Sequence, residues 1–338
     1  MTATTATGAS RRQGAIDLLR RGWLVVLIVG LVAFFTLTQP AFASVANGFA
    51  ILRGISIVTI IATAVTISLV VSGFDLSVGA NAGLAMMLSA ISLVVWRLDG
   101  PSAILVALLG GLAVGILNSV LVVRFRIPDL LATLATLFVV QGFQLVITGG
   151  RSVATGFRLD DGTAATGVFT PEFLWLGRGI LGPVPAPVIL TAVVVLALQV
   201  FLTLTRHGRQ LEAVGANAEV AHLAGIGVGR SRTFAYLASG VLAALGGVLL
   251  AAQVGRGDVN AGGAYLLDAV AASLIGLAAF GTNRPSAIGT ALGAVFVGVL
   301  LNGLTMANLP YYAQDLVKGV VLAGALVVTF APGLRGSR

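Results

Sequence analysis

Cysteine is absent from the sequence, lysine occurs once and histidine twice. The absence of cysteine excludes disulfide bonds, thiolate metal sites and a cysteine nucleophile, and the spacing of His207 and His222 does not fit a zinc-protease pair. A phosphate-binding loop needs Gly-Lys followed by Ser or Thr, whereas Lys318 is followed by Gly319. The chain therefore cannot supply such an ATP site itself, and we expect neither a cofactor nor a catalytic group of residues.

Charged residues are also scarce, since they make up 9% of the 338 residues, against about a quarter in an ordinary soluble domain. Apolar residues make up 57%, and many lie in uncharged runs of about 18 residues or more, long enough to cross a membrane as helices. Helix is the open-ended structure that satisfies every backbone amide in lipid. The composition predicts an all-α membrane protein.

The apolar runs predict about ten transmembrane helices. Their expected bounds are 22–39, 50–71, 77–96, 102–123, 129–148, 186–204, 233–252, 264–281, 286–306 and 312–331. The transmembrane domain would then cover 22–331, with tails at 1–21 and 332–338. An even number of spans places both tails on the same side of the membrane.

The basic residues indicate which side that is. The net charge is +8, and the basic side chains lie between the apolar runs, which indicates orientation by the positive-inside rule rather than nucleic-acid binding. With both tails in the cytoplasm, thirteen basic residues fall inside and five outside. This bias predicts cytoplasmic termini.

Two connections between the predicted spans are long. The external one, 149–185, is polar and partly stiffened by prolines, and is exposed to a possible partner. The cytoplasmic one, 205–232, has Ala, Leu and Val at helical spacing with Gly at both flanks. We expect this second loop to form a short amphipathic helix that lies against the membrane or against another protein.

Two segments of the sequence repeat each other. Residues 101–118, PSAILVALLGGLAVGILN, align without a gap on 285–302, PSAIGTALGAVFVGVLLN, and eight of the eighteen positions are identical. They belong to the fourth and ninth predicted spans, which are five apart and so cross the membrane in opposite directions. The sequence therefore predicts an inverted internal repeat, as in transporters whose mirrored halves open to opposite sides.

Polar side chains inside predicted spans are candidates for a solute path, because burying them in lipid is costly. Asn118 and Asn302 occupy equivalent positions of the repeat, and Gln141, Gln144 and Asp268 lie in or near apolar segments. An uncharged solute rich in hydroxyl groups would need amides and a few carboxylates spread along its path. The alternative for each residue alone is a hydrogen bond to a neighbouring helix.

Asp75 lies between the second and third predicted spans. Its carboxylate can accept hydrogen bonds from the open amides at the start of the third helix. We therefore expect a capping role for Asp75 first, and a role in gating or in solute contact second.

Three ordered segments of the chain carry a family resemblance. They are Val71–Gly79 (VSGFDLSVG), the loop from Gly208 to Ile226, and the stretch from Asp268 to Gly319. In this order they resemble segments of the monosaccharide permeases of bacterial ATP-binding cassette importers, the ribose, xylose and arabinose type. That family usually has Gly-Gly before Ile-Asp, where this chain has Ser72 and Gly73.

The resemblance implies a permease subunit of the bacterial plasma (inner) membrane that works by alternating access. It implies a cytoplasmic ATPase that hydrolyses ATP, an external sugar-binding protein and a second permease subunit, identical or different. Glu212, Gly215, Asn217 and Gly225 match the loop that docks on the ATPase, and the external loop would receive the binding protein.

Three other functions stay open at this point. An ion-coupled secondary transporter is also compatible with inverted repeats. A permease for branched-chain amino acids or another small solute would share this architecture. An intramembrane enzyme would need a nucleophile and base or a metal site, and the sequence shows no such arrangement.

Overall fold

The computed structural model describes residues 6–159, 161–279 and 284–330, and the part it describes is mainly helical. The α-helices there are α1 (Ala6–Thr38), α2 (Val45–Val70), α3 (Val78–Val94), α4 (Gly100–Ser119), α5 (Asp129–Thr148), α6 (Pro171–Arg178), α7 (Ala186–Leu204), α8 (Arg206–Ala216), α9 (Ala218–Leu223), α10 (Val228–Val254), α11 (Ala261–Ala278), α12 (Ala287–Met306) and α13 (Tyr311–Phe330). A 3-10 turn at Pro40–Ala43 precedes α2, and a π-helical turn at Val120–Arg124 extends α4.

Each of the ten predicted spans overlaps one of the longer helices. The bounds of α5 and α7 coincide with the predicted ones, whereas α1 begins at Ala6 rather than at residue 22. Among the described residues, six helices are long and apolar enough to cross a membrane: α2, α4 with its π turn, α5, α7, α10 and α12. The predicted span ends at 281 and 331, and the tail residues 1–5 and 332–338, lie outside the described residues.

The centre of the fold is a layer of helices that meet through small residues. α10 packs against α2, α3 and α4, while α11 packs against α12, α2 and α3. A side chain at Gly111 of α4 would overlap Ala244 of α10 and lie 2.6 Å from the Gly240 carbonyl oxygen. Glycine at these positions lets the two backbones approach each other directly.

The outer helices leave apolar side chains uncovered. α5 exposes Leu131, Phe138 and Val146, which are 61%, 63% and 81% exposed, and α7 exposes Val193 and Leu196 in the same way. Such faces suit lipid or a partner chain. The contrast with α2, of which Ile55–Ser68 is buried throughout, separates a packed interior from an exposed apolar rim.

The predicted external loop is partly ordered into short elements. The strand β1 (Val153–Ala154) pairs antiparallel with β4 (Arg256–Gly257), and β2 (Ile180–Leu181) pairs with β3 (Val184–Pro185). The helix α6 lies between β1 and β2 in the chain. The loop is therefore tied to the segment that follows α10.

The predicted loop 205–232 contains two short helices rather than the single one expected. The break falls at Asn217, whose backbone is extended. Its side-chain oxygen accepts hydrogen bonds from the amides of Glu219 and Val220, both at 3.0 Å. An asparagine that caps a new helix in this way ends the preceding one, so α8 stops at Ala216 and α9 starts at Ala218.

Candidate functional site

A buried carboxylate in the turn between α2 and α3 joins three helices. Asp75 Oδ1 accepts hydrogen bonds from the Ser77 amide at 2.9 Å, from the Ser77 hydroxyl at 2.6 Å and from the Asn118 amide of α4 at 3.3 Å. Its Oδ2 accepts one from the Ser239 hydroxyl of α10 at 2.8 Å. Asn118 also donates to the Ser77 hydroxyl at 2.8 Å. These four residues are called the Asp75 junction below.

The Asp75 junction is closed to solvent, because none of its side chains is more than 1% exposed. Burial raises the pKa of Asp75, and the hydrogen bonds from Ser77, Ser239 and Asn118 act in the opposite direction. The expected capping of α3 by Asp75 is not found, because its bond goes to the amide of Ser77, which precedes the first helical residue Val78, and the N-cap of α3 has no side-chain cap bond. The donors Asn118 of α4 and Ser239 of α10 were not expected. Through them, Asp75 connects these two helices to the turn before α3.

The same turn also contacts α5. The Thr133 hydroxyl accepts from the Leu76 amide at 3.2 Å, and its hydrogen is shared between the Phe74 carbonyl oxygen at 3.2 Å and the Asp129 carbonyl oxygen of its own helix at 2.8 Å. Gly73 is buried, and a side chain there would come within 2.8 Å of the Tyr236 hydroxyl oxygen and within 3.0 Å of Asp129 Oδ2. The turn is thus enclosed by α5 and α10 as well as by α4.

A second side-chain amide, that of Asn81, connects α3, α4 and α10 one helical turn after Ser77. Asn81 of α3 donates to the carbonyl oxygens of Gly240 at 3.0 Å and of Gly111 at 3.4 Å. Gln144 of α5 is 2% exposed and donates to the Ala80 carbonyl oxygen at 2.9 Å. Gln141, one turn before it, is half-buried. Gln144 therefore makes the interhelical bond that was the alternative to a solute path.

Asn302 lies in a different environment from its repeat partner Asn118. It is half-buried and exchanges two hydrogen bonds with Asn47 of α2, both at 3.0 Å. It lines a cavity of about 370 Å³ together with Tyr265, Asp268 and Thr305. This cavity, between α2, α11 and α12, is called the Asn302 crevice below.

The Asn302 crevice ends at an ion pair between helices. Lys318 Nζ of α13 lies 3.0 Å from Asp268 Oδ1 of α11, and the two side chains are 27% and 12% exposed. Asp268 also lines a neighbouring, mainly apolar cavity of about 150 Å³. A charged pair within apolar helices satisfies both groups and fixes α13 against α11.

The helix α8 lies against the end of α2. The Ser72 hydroxyl donates to the Gly215 carbonyl oxygen at 2.7 Å, and a side chain at Gly215 would overlap the Val70 carbonyl oxygen. Glu212, half-buried, borders a cavity of about 900 Å³. Asp129, Arg209 and Arg284 are the other charged residues that line this cavity.

The helix α9 presents apolar side chains that nothing in the described part of the chain covers. Val220 is 59% exposed and Leu223 is 81% exposed. Asn217 caps the helix at one end, and Gly225, with a φ of 81°, follows its other end in the left-handed region that favours glycine. Of the four residues matched to a docking loop, Glu212 and Gly215 therefore face the bundle, while Asn217 and Gly225 shape α9.

The candidate residues fall into separate groups. Asp75 and Asn118 meet in the Asp75 junction, while Asp268 and Asn302 share the Asn302 crevice. Sequence reasoning did not select as site residues five side chains that bond to the candidate residues or beside them: Ser77, Ser239, Ser72, Asn81 and Lys318. The one lysine inside an apolar run was a usable signal, because an intramembrane charge requires an opposite charge such as that of Asp268. The described residues contain no cluster of metal-binding side chains.

Comparisons with known proteins agree on the type of chain. The family model described as branched-chain amino acid transport system / permease component matches residues 47–326. The ribose import permease protein of Escherichia coli K12 is 33% identical over 325 residues, which cover 96% of this chain and 98% of that protein. The ribose import permease protein of Bacillus subtilis 168 is 32% identical, covering 88% and 89% of the two chains.

A permease named for another sugar is similar over most of its length as well. The galactose/methyl galactoside import permease protein of Haemophilus influenzae is 28% identical over 334 residues, covering 95% of this chain and 97% of that protein. No solved structure matches the chain. The similarity to sugar permeases thus extends over nearly whole chains rather than over one motif.

Proposed function

The chain belongs to the family of branched-chain amino acid transport system permease components, and on that premise we propose that it translocates a monosaccharide as the membrane subunit of an ATP-binding cassette importer. The observation that carries the proposal is the 33% identity to a ribose import permease over 96% of this chain. ATP hydrolysis in such an importer belongs to a separate subunit. The chain would act in the bacterial inner membrane, which it crosses several times.

The choice of a sugar over an amino acid rests on the relatives. The family description names branched-chain amino acids, whereas the relatives matched over nearly their whole length are named for ribose and galactose. Three polar side chains in the otherwise mainly apolar Asn302 crevice fit the same choice, because Asp268, Asn302 and Thr305 can exchange hydrogen bonds with hydroxyl groups. An amino acid carries an ammonium and a carboxylate group on one carbon and needs an opposite charge for each, whereas the charges of Asp268 and Lys318 are already paired with each other.

The solute path, in this proposal, passes through the Asn302 crevice. Asp268 and Asn302 would contact the solute there, since both line an open cavity of about 370 Å³. Asp75, Asn118 and Gln144 would belong to the gate, since their polar groups are engaged between helices. Gln141, half-buried on α5, would face the path between the two.

The helix bounds support an inverted repeat with ten spans. Moved by 184 positions, the offset between residues 101 and 285, the bounds of α2 become 229–254 and those of α3 become 262–278. The helices found at those places are α10 (Val228–Val254) and α11 (Ala261–Ala278). The same shift pairs α4 with α12 and α5 with α13. We therefore propose two mirrored halves of five spans each.

The cytoplasmic ATPase would dock on residues 205–232, where Glu212, Gly215, Asn217 and Gly225 lie. Exposed Leu223 and Val220 of α9 would supply apolar contacts to it. With both termini in the cytoplasm, the loop 149–185 would lie outside and receive the sugar-binding protein. A second permease subunit would cover part of the exposed apolar rim.

Reconstitution tests this function directly. The chain, with its ATPase and binding protein, is placed in proteoliposomes, and uptake of labelled ribose, galactose, xylose and leucine is measured with and without ATP. We expect uptake of at least one sugar, dependent on ATP and on the binding protein. Uptake driven by an ion gradient without ATP, or uptake of leucine alone, would overturn the proposal.

A further inference from the structure

The turn at 71–77 lies between the helix α8 and the centre of the bundle. On one side, the Gly215 backbone packs directly on the Val70 carbonyl group, with no space for a side chain between them. The Ser72 hydroxyl adds a hydrogen bond of 2.7 Å to the Gly215 carbonyl oxygen. This side-chain bond ties α8 to the turn, beside the direct packing of the two backbones.

On its other side, the turn is bonded to three helices. Its backbone at Phe74 and Leu76 exchanges hydrogen bonds with Thr133 of α5. Its Asp75 carboxylate accepts from Asn118 of α4 and Ser239 of α10. A displacement of the turn would therefore strain its hydrogen bonds to α4, α5 and α10 and tend to move all three helices.

The turn has little capacity to absorb such a displacement. A side chain at Gly73 would approach Tyr236 and Asp129 to within 3.0 Å, so the backbone there is already closely packed. Close-packed interiors resist compression and pass a shift on to their neighbours. The contact with α8 and the Asp75 junction, which begin only three residues apart in the chain, thus form one mechanical unit.

Ser72 itself has an unusual backbone. Its φ is 54°, in the left-handed region that costs a residue with a side chain about 1 kcal/mol and that glycine occupies freely. A serine at this place gives up that conformational freedom and gains a hydroxyl, which this structure uses for the bond to Gly215.

We propose that Ser72 is a positioning residue for transport, which holds the turn at 71–77 to α8 so that motion of α8 reaches the Asp75 junction. The inference rests on the proposed function, in which the ATPase docks on α8 and α9. It adds the route by which that motion enters the bundle. Loss of the hydroxyl would let α8 move with less movement of the turn, so that ATP is hydrolysed without import.

The test is the number of sugar molecules imported per ATP hydrolysed by the full complex in proteoliposomes. Ser72→Ala removes the hydroxyl, and Ser72→Gly removes it while relieving the left-handed backbone. Since one such bond is worth about 1 kcal/mol, we expect both variants to lower the ratio about three- to ten-fold at a nearly unchanged rate of ATP hydrolysis. Ser72→Asn, which tolerates the left-handed region and keeps a donor, should restore part of the ratio.

A matched control is Thr203→Ala on α7, whose hydroxyl bonds only within its own helix, to the Gln199 carbonyl oxygen. It should leave the ratio unchanged. A wild-type ratio in both Ser72→Ala and Ser72→Gly would overturn the inference while leaving the proposed function intact. An equal fall of hydrolysis and import, together with a lower melting temperature, would also overturn it, because it indicates a structural role. A wild-type complex without ATP-dependent uptake would instead overturn the proposed function.

Discussion

Asn118 and Asn302 occupy equivalent positions of the internal repeat, yet they lie in opposite surroundings. Asn118 is fully buried, and its amide donates to Ser77 and Asp75. Asn302 is half-buried, pairs with Asn47 and borders a cavity of about 370 Å³. The same side chain, at equivalent positions of two similar segments, thus lies in the closed Asp75 junction and in the open Asn302 crevice. The difference shows that residue type and repeat position together do not determine whether a side chain bonds a neighbouring helix or lines a cavity.

The largest effect on stability is expected from removing the carboxylate at the centre of the Asp75 junction. Asp75→Ala leaves the donors of Ser77, Asn118 and Ser239 without their acceptor in a dry site, which should lower the free energy of unfolding by about 3 kcal/mol. Unfolding in mixed detergent micelles measures this. Asp161→Ala, in an exposed loop, is the control and should change little. Equal stabilities of the two variants would contradict a structural Asp75 junction.

A smaller loss of stability is expected from forcing apart α4 and α10, two of the helices that meet at the Asp75 junction. In Gly111→Ala the new methyl group would overlap Ala244 and approach the Gly240 carbonyl oxygen, which should cost about 2 kcal/mol of unfolding free energy. Gly142→Ala on α5 places the new methyl group more than 4 Å from any atom outside the adjacent backbone of its own helix and should be neutral or slightly stabilising. Melting curves of the two variants provide the measurement. Similar values would mean that α4 and α10 are not closely packed.

The smallest effect on stability is expected at Asn302. Its replacement should nevertheless change transport. Asn302→Ala loses the partly buried exchange with Asn47 and should cost about 1 kcal/mol, whereas Asn118→Ala in the fully buried junction should cost about 2 kcal/mol. In the proposed path, Asn302→Ala raises the sugar concentration needed for half-maximal uptake. If Asn302→Ala takes up sugar like the wild type, the crevice is not the path.

Helix positions could be predicted well because local chemistry sets them. α5 starts after Pro128 and is followed by Gly149, and α7 starts after Pro185 and ends before Thr205, so both were predicted to the residue. α1 extends further because its polar first turns are still compatible with helix. The break between α8 and α9 was missed, although Asn217 is a recognised capping residue type.

The candidate site could be predicted as single residues but not as groups. Asp75 and Ser239 are 164 positions apart, and nothing in either segment shows that their helices pack together. Intramembrane polarity drew attention to Asn118, Gln144 and Asp268, since burying each is costly. Whether such a group faces a neighbour or a cavity depends on helix rotation and packing, which nearly uniform apolar segments do not encode.

The ion pair of Lys318 with Asp268 also provides an experimental tool. Lys318 carries the only ε-amine of the sequence, and its partner holds it where reagents in water reach it poorly. Amine-specific labelling of this side chain would therefore report separation of α13 from α11 without any engineered residue. A comparison of the labelling rate of Lys318 between resting and ATP-bound complexes would show at which step of the transport cycle α13 separates from α11.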